Sequence, residues 1–175
     1  MPVEHASLVV RNVVMKYIQR KPNRLKDYDY SQNGAYFITI CTHKHKPILS
    51  HITVGTTIGR LNEVTLTQIG TIVQQGVLKI NEHYENVFVD NYVIMPNHIH
   101  LLIRLDNPDG RAMLVPTVSR VIQQFKGYVS KQVGKPIWQE KFYDHIIRDE
   151  YDYFTKWQYI DDNPAKWTDD KLFTE

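Results

Sequence analysis

Residues 87–105 read VFVDNYVIMPNHIHLLIRL, and this stretch decides the fold. Val87 to Met95 and His98 to Leu105 are rich in β-branched and aromatic residues, the composition of strands. Pro96-Asn97 between them reads as a tight turn, so the stretch is a β-hairpin. Side chains alternate between the faces of a strand. His98 and His100 therefore share one face, while Ile99 enters the other.

Upstream, Leu66, Ile69, Val73, Val77 and Ile80 recur at three- and four-residue steps, which predicts an amphipathic helix over Leu66 to His83. Lys46 to Glu63 is mixed and holds a loop or a small hairpin, and Ala35 to Thr42 (AYFITICT) is another strand. Arg20 to Gly34, with Pro22, Asn23 and Asn33, is a basic loop leading into a turn. Downstream, Asn107 to Gly110 is a loop. Pro116 to Val133 is a second helix, with Val118, Val121, Ile122, Phe125 and Val129 on one side. Ile137 to Ile147 contains a fourth extended piece, and Asp149 to Asp162 is a third helix, stopped by Asn163-Pro164. The order strand, helix, strand, strand, helix, strand is the ferredoxin-like (RRM-like) βαββαβ arrangement. The expected class is α+β: an antiparallel sheet with helices packed on it and an additional C-terminal helix.

The 175 residues fit one domain, with residues 1–19 as an N-terminal extension and 168–175 as a C-terminal tail. At 42% apolar and 11% aromatic, the chain can fill a core, which excludes wholesale disorder. Its apolar runs fall well short of the roughly 20 residues of a spanning helix, and no leader pattern is seen. A single cysteine, Cys41, excludes an internal disulfide framework and a Cys-rich zinc finger, so a cytoplasmic protein is expected. Net charge is only +2, but it is segregated. Arg11 to Lys26 and Arg111 to Lys135 hold 11 of the 21 basic residues and no acid, leaving ten basic residues against 19 acids elsewhere. Such segregation suits a surface that receives phosphates, although two solvated basic faces would give the same count.

Two imidazoles on one strand face can hold a divalent cation, or they can be hydrogen-bonded histidines with a structural role. A pair alone leaves a metal under-coordinated. On the last helix Tyr159 and Asn163 are four apart and share a face, so an amide oxygen and a phenol can reach one site. The positions four after Tyr151 and Tyr153 are Thr155 and Trp157, poorer metal partners, which selects Tyr159; packing against the sheet is the alternative role. A cation on His98, His100 and Asn163 would polarise a phosphodiester, and Tyr159 would attack phosphorus to give a phosphotyrosine that a DNA hydroxyl can reverse. His43 and His45 form a second pair, but Lys44, Lys46 and Pro47 mark that stretch as an exposed basic loop. His145 follows Asp144, where it either orders the site by a hydrogen bond or takes part in the chemistry.

With these residues in place the chain resembles the single-tyrosine HUH transposases of the IS200/IS605 type, and most of all their REP-associated tyrosine transposase branch. The matching stretches run from Tyr28-Asp29-Tyr30 and Gly34–Thr42 through Val93–Ile103 with its MPNHIH block, then Phe125-Lys126, Ile137-Trp138-Gln139, Phe142–Arg148 and finally Tyr159-Ile160-Asp161-Asp162-Asn163-Pro164. The resemblance implies a metal-dependent single-stranded DNA endonuclease and strand transferase. It implies His98 and His100 as the metal pair, Mg²⁺ or Mn²⁺ as cofactor, and Tyr159 as the nucleophile, joined to a 5′ phosphate and leaving a 3′ hydroxyl. The better-known enzymes of the type carry Gln four residues after the tyrosine; this chain has Asn163, as the REP-associated branch does.

Single-stranded or hairpin DNA is the expected partner. Its candidate contacts are Arg20, Lys21, Arg24 and Lys26 in the basic loop and Arg120, Gln123, Gln124, Lys126 and Lys131 on the second helix. Trp138, Trp157 and Tyr143 are candidates to stack on bases, with burial the alternative for a Trp. The IS200/IS605 type exchanges its tyrosine helix between two protomers, so the resemblance implies a homodimer as one expectation, with a monomer as the alternative for the REP-associated branch. Two other readings make different predictions: a non-catalytic RRM-like nucleic-acid-binding domain, and a zinc-dependent hydrolase that uses the histidine pair and needs no tyrosine.

Overall fold

The computed structural model describes residues 33–53, 63–106 and 116–173. The N-terminal extension, the basic loop with Arg20, Lys21, Arg24 and Lys26, and the loop Asn107 to Gly110 lie outside the described residues.

Among the described residues six strands and three α-helices follow in order: β1 (Gly34–Cys41), β2 (Ser50–Thr53), β3 (Glu63–Leu66), α1 (Gln68–His83), β4 (Val87–Ile94), β5 (His98–Leu105), α2 (Val118–Val133), β6 (Tyr143–Ile146) and α3 (Glu150–Asp162). The main sheet has the order β4-β5-β1-β6, and every neighbouring pair is antiparallel. This is the ferredoxin-like α+β fold. The small hairpin expected within Lys46 to Glu63 is β2–β3, which forms a separate two-stranded sheet.

Leu66 belongs to β3 rather than to the first helix, where it pairs with Ser50. The helix begins after Thr67, whose hydroxyl accepts from the Gly70 N–H at 3.0 Å and so caps the first turn. Thr117 and Asp149 cap α2 and α3 in the same way. Asn163-Pro164 does not stop the chain's helical course. Pro164 at the first turn redirects it into a 3₁₀ helix, Asn163–Asp169, since a proline is tolerated where no N–H is needed.

The strands' alternation divides the interior. Tyr36, Ile38 and Ile40 of β1 and Ile99, Leu101, Ile103 and Leu105 of β5 form one face, which packs on Val73, Val77 and Ile80 of α1 and on Val121, Ile122, Phe125 and Val129 of α2. The opposite face carries Phe37 and Leu102, which meet Ile160 of α3, with Val93, Tyr153 and Trp157 around them. Burying one Ile side chain such as Ile160 contributes about 1.5–3 kcal/mol, which attaches α3 to this second face. A bulge at Asp90 shifts the register between Val89 and Asn91, so Val89 packs in the first core while Asn91 donates to Asp161 of α3.

Two glycines on helices make opposite predictions. A Cβ on Gly70 would lie 1.9 Å from the Leu49 carbonyl oxygen, a backbone atom that cannot move aside, whereas Gly127 on α2 faces open space. Gly70→Ala is expected to cost more than about 2 kcal/mol and Gly127→Ala to gain about 0.5–1 kcal/mol, both read from urea unfolding.

Candidate metal and tyrosine site

The second face of the sheet ends, at the start of β5, in two imidazoles. His98 and His100 are both buried, and each is oriented by a neighbour. The side-chain amide of Asn97 donates to the Leu172 carbonyl at 2.6 Å, which turns its oxygen towards His98. An amide oxygen only accepts, so His98 Nδ1 carries the proton, at 2.8 Å, and Nε2 keeps a lone pair. His100 Nδ1 is 2.8 Å from the Thr39 hydroxyl, its partner across the β1–β5 ladder. The two Nε2 atoms then converge to 3.0 Å. Two nitrogens about 2.1 Å from one cation and at right angles to it stand roughly 3 Å apart, so the spacing fits shared ligation.

Burial is the chief reason both rings resist protonation. It brings His98 down to about 4, with the charge of His45 adding to the effect and Asp170 opposing it. It also holds His100 well below the usual histidine range, with His98 and Lys156 adding to the effect. Neutral imidazoles are the form that binds metal. The rings are held by stacking as well: His100 lies on Phe37 (centroids 5.0 Å, 25°), and Trp167 lies 5.9 Å from His98.

α3 brings Tyr159 to the same place. Its ring meets His100 edge-on at 5.3 Å and Phe37 at 5.7 Å. Asn163 and Asp170 are the polar groups that act on its hydroxyl. Burial and the Asp170 charge raise its pKa above the ordinary phenol value, and the nearby Asn163 side chain only partly offsets them. Asn163 is 3% exposed, and its Oδ1 is buried without a hydrogen-bond partner among the described residues, an acceptor left over for a cation. Its Nδ2 donates to Asp170 at 3.3 Å.

Asp170 is the residue that sequence reasoning missed. One ligand atom each from His98, His100 and Asp170 lie within 4.8 Å of one another, a set able to hold a metal ion. The turn that follows α3 carries Asp170 there. Trp167 is buried, Phe173 packs on it at 5.2 Å, and the Leu172 N–H bonds Asp170 Oδ1 at 2.7 Å. The only trace in the sequence was an acid seven residues beyond Asn163, in what read as a charged tail.

The structure brings Tyr159, His98, His100 and Asn163 together. The α2 candidates are not brought to them, because α2 packs on the other face of the sheet. Arg120, Gln123 and Lys131 are exposed there, while the Gln124 side chain accepts from the Tyr84 hydroxyl. Lys126 is half-buried and donates to the carbonyls of Gln139 (2.6 Å) and Glu140 (2.8 Å), so its ammonium braces the loop before β6. Trp138 is buried against Phe125, Trp157 packs on the second face, and Tyr143 is exposed. His145 pairs with Asp152 at 2.8 Å rather than with Asp144, which faces away across the strand. His45 lies in a tight turn with Lys44, both at positive φ, and its Nε2 is 2.9 Å from the Gln139 amide. Part of the loop read as exposed is thus packed near His98.

A ferredoxin-like sheet with paired imidazoles under a helical tyrosine defines the class: the IS200-like transposase fold. No family model matches the chain. An uncharacterized protein of Haemophilus influenzae is 32% identical over 177 residues, covering 89% of this chain and 94% of the relative. A protein of the same organism named as a REP-associated tyrosine transposase is 30% identical over 149 residues, covering 79% of this chain and 74% of the relative. In fold the chain is similar to a solved REP-associated tyrosine transposase bound to a REP hairpin (TM-score 0.59, 22% identity, 82% of this chain and 73% of that one). The chain belongs to the REP-associated tyrosine transposases, a branch of the IS200-like transposases.

Asn97 ties His98 to the C-terminal turn. Asn97→Ala is expected to lower Mn²⁺ affinity about 10–100-fold by titration calorimetry, since groups that orient metal ligands carry effects of that size.

Proposed function

We propose that this chain is a metal-dependent single-stranded DNA endonuclease and strand transferase with Tyr159 as its nucleophile. In this reading residues 1–175 act as one domain, with 1–19 an N-terminal extension and 168–175 a C-terminal tail. The observation that carries it is the approach of Tyr159 to His100, 5.3 Å ring to ring, over the imidazole pair that converges with Asp170.

A divalent cation, Mg²⁺ or Mn²⁺, held by His98 and His100 with Asp170 or Asn163, would supply Lewis-acid stabilisation of charge on the phosphate oxygens. The Tyr159 oxygen attacks phosphorus and forms the new P–O bond. The bond to the 3′ oxygen breaks, and that oxygen takes a proton and leaves as a hydroxyl. Tyr159 is left on the 5′ phosphate. A phenol ionises at about 10, and Tyr159 lies higher still, so its proton needs an acceptor. The Asp170 carboxylate, whose charge acts on the phenol, is proposed for that role. An aryl phosphate is a good leaving group. A DNA hydroxyl can therefore reverse the attack and rejoin the strand.

Hairpin-forming single strands are the proposed substrate, as the solved relative is bound to a REP hairpin. Arg20, Lys21, Arg24 and Lys26, with Arg120, Gln123, Gln124 and Lys131, are proposed to contact the DNA away from the site, and Lys126 to support the loop that borders it. Tyr159 packs on the sheet of its own chain, which supports a monomer as the acting form, with a homodimer as the alternative. Among the described residues no helix is long and apolar enough to cross a membrane, and action on cytoplasmic DNA is proposed.

Labelled hairpin oligonucleotides incubated with protein and Mg²⁺ or Mn²⁺ are expected to yield an adduct that survives denaturing electrophoresis. Tyr159→Phe, His98→Ala and chelation should each abolish it. An adduct persisting in Tyr159→Phe would move the nucleophile elsewhere. Binding without cleavage would indicate a non-catalytic domain, and cleavage without an adduct a hydrolase.

A further inference from the structure

α3 presents Lys156, Tyr159 and Asn163 at three- and four-residue steps, the spacing that places side chains on one helix face. The last two serve the site already described. Lys156 has no part in it, yet its half-buried side chain ends there. The ammonium nitrogen lies 5.4 Å from the centroid of the Phe37 ring. That same ring stacks on His100 at 5.0 Å and receives the edge of Tyr159 at 5.7 Å. A single aromatic ring thus adjoins the metal-ligand candidate, the nucleophile candidate and a cation. The Lys156 charge reaches His100, where it is one of the groups that lower the imidazole's pKa.

Nothing described in the chain neutralises this ammonium by direct contact. Among the described residues, the ion pairs of this region are His145 with Asp152 and Lys166 with Asp162. Asp152, one turn before Lys156, already accepts from His145 at 2.8 Å and 3.0 Å and from the Arg148 N–H at 3.3 Å. Lys126 shows the contrast, since its half-buried ammonium is satisfied by two carbonyls. A lysine offers three donors and no acceptor, and an ammonium partly removed from water gains most from an anion placed against it. A phosphodiester presented to Tyr159 would bring an oxyanion to that place.

We infer that Lys156 is a substrate-phosphate ligand, its ammonium binding a non-bridging oxygen of the phosphodiester that Tyr159 attacks. The inference rests on the reading of Tyr159 as nucleophile. Lys156 offsets the charge that builds on the equatorial oxygens, and the Phe37 face holds it in place beside the site.

The test compares wild type, Lys156→Met and Lys156→Arg for the rate of adduct formation on saturating hairpin oligonucleotide with Mn²⁺. Each is run on the native linkage and on one with a neutral methylphosphonate at the mapped cleavage position. Lys156→Met is expected to slow the native reaction about 10²-fold, and Lys156→Arg to recover much of it. On the methylphosphonate, which lacks the charge that Lys156 meets, wild type and Lys156→Met should differ by less than about threefold. Melting temperature and Mn²⁺ affinity should not fall in Lys156→Met. Equal native rates for wild type and Lys156→Met would overturn the inference, and so would an equal deficit on both linkages, which would mark a purely structural lysine. Absence of any adduct from wild type would instead remove the Tyr159 reading, and this inference with it.

Discussion

The alternation of β5 governs the molecule. Ile99, Leu101, Ile103 and Leu105 point into the core made with α1 and α2, and this fixes His98, His100, Leu102 and Arg104 on the other side. A slip of one residue in its pairing would bury both imidazoles among aliphatic side chains and turn four aliphatic residues outward. The strand pairs along its whole length with β1 on one edge and β4 on the other, so that slip is blocked on both sides. The cost of misplacing the core is thus what holds the histidines in register.

On that face α3 is attached by few apolar contacts and by directed polar ones. Ile160 sits against Phe37 and Leu102, Tyr153 donates to Asp90 at 3.0 Å, and Asn91 donates to Asp161 at 2.9 Å. Asp90 also receives Arg104, so one carboxylate at the bulge links β4, β5 and α3. These contacts fix the rotation of the helix about its axis. Hydrophobic packing alone would hold it on the sheet without deciding which residues point at the imidazoles.

Much of this was legible in the sequence because it follows from periodicity. The 87–105 hairpin, the shared face of His98 and His100, and the four-residue step from Tyr159 to Asn163 need only the geometry of a strand and a helix. Helix starts were misplaced by one or two residues, because Thr67, Thr117 and Asp149 act through their caps and stand outside the apolar repeat. What stayed hidden depends on tertiary contact. Asp170 reaches the site only because Trp167 buries itself beside His98 and Asn97 captures the Leu172 carbonyl, and no local pattern encodes either event. Lys126 read as a phosphate contact since its charge is visible in the sequence, and the carbonyls that claim it are not.

The order of these contributions along the chain has a consequence for biosynthesis. The histidines precede α2, while Tyr159, Asn163, Trp167 and Asp170 all follow β6. On the ribosome the imidazole pair is therefore made well before anything that covers it. Until the segment from α3 onward emerges, the imidazole pair stands without the Tyr159 ring and the Asp170 carboxylate that the folded chain sets beside it.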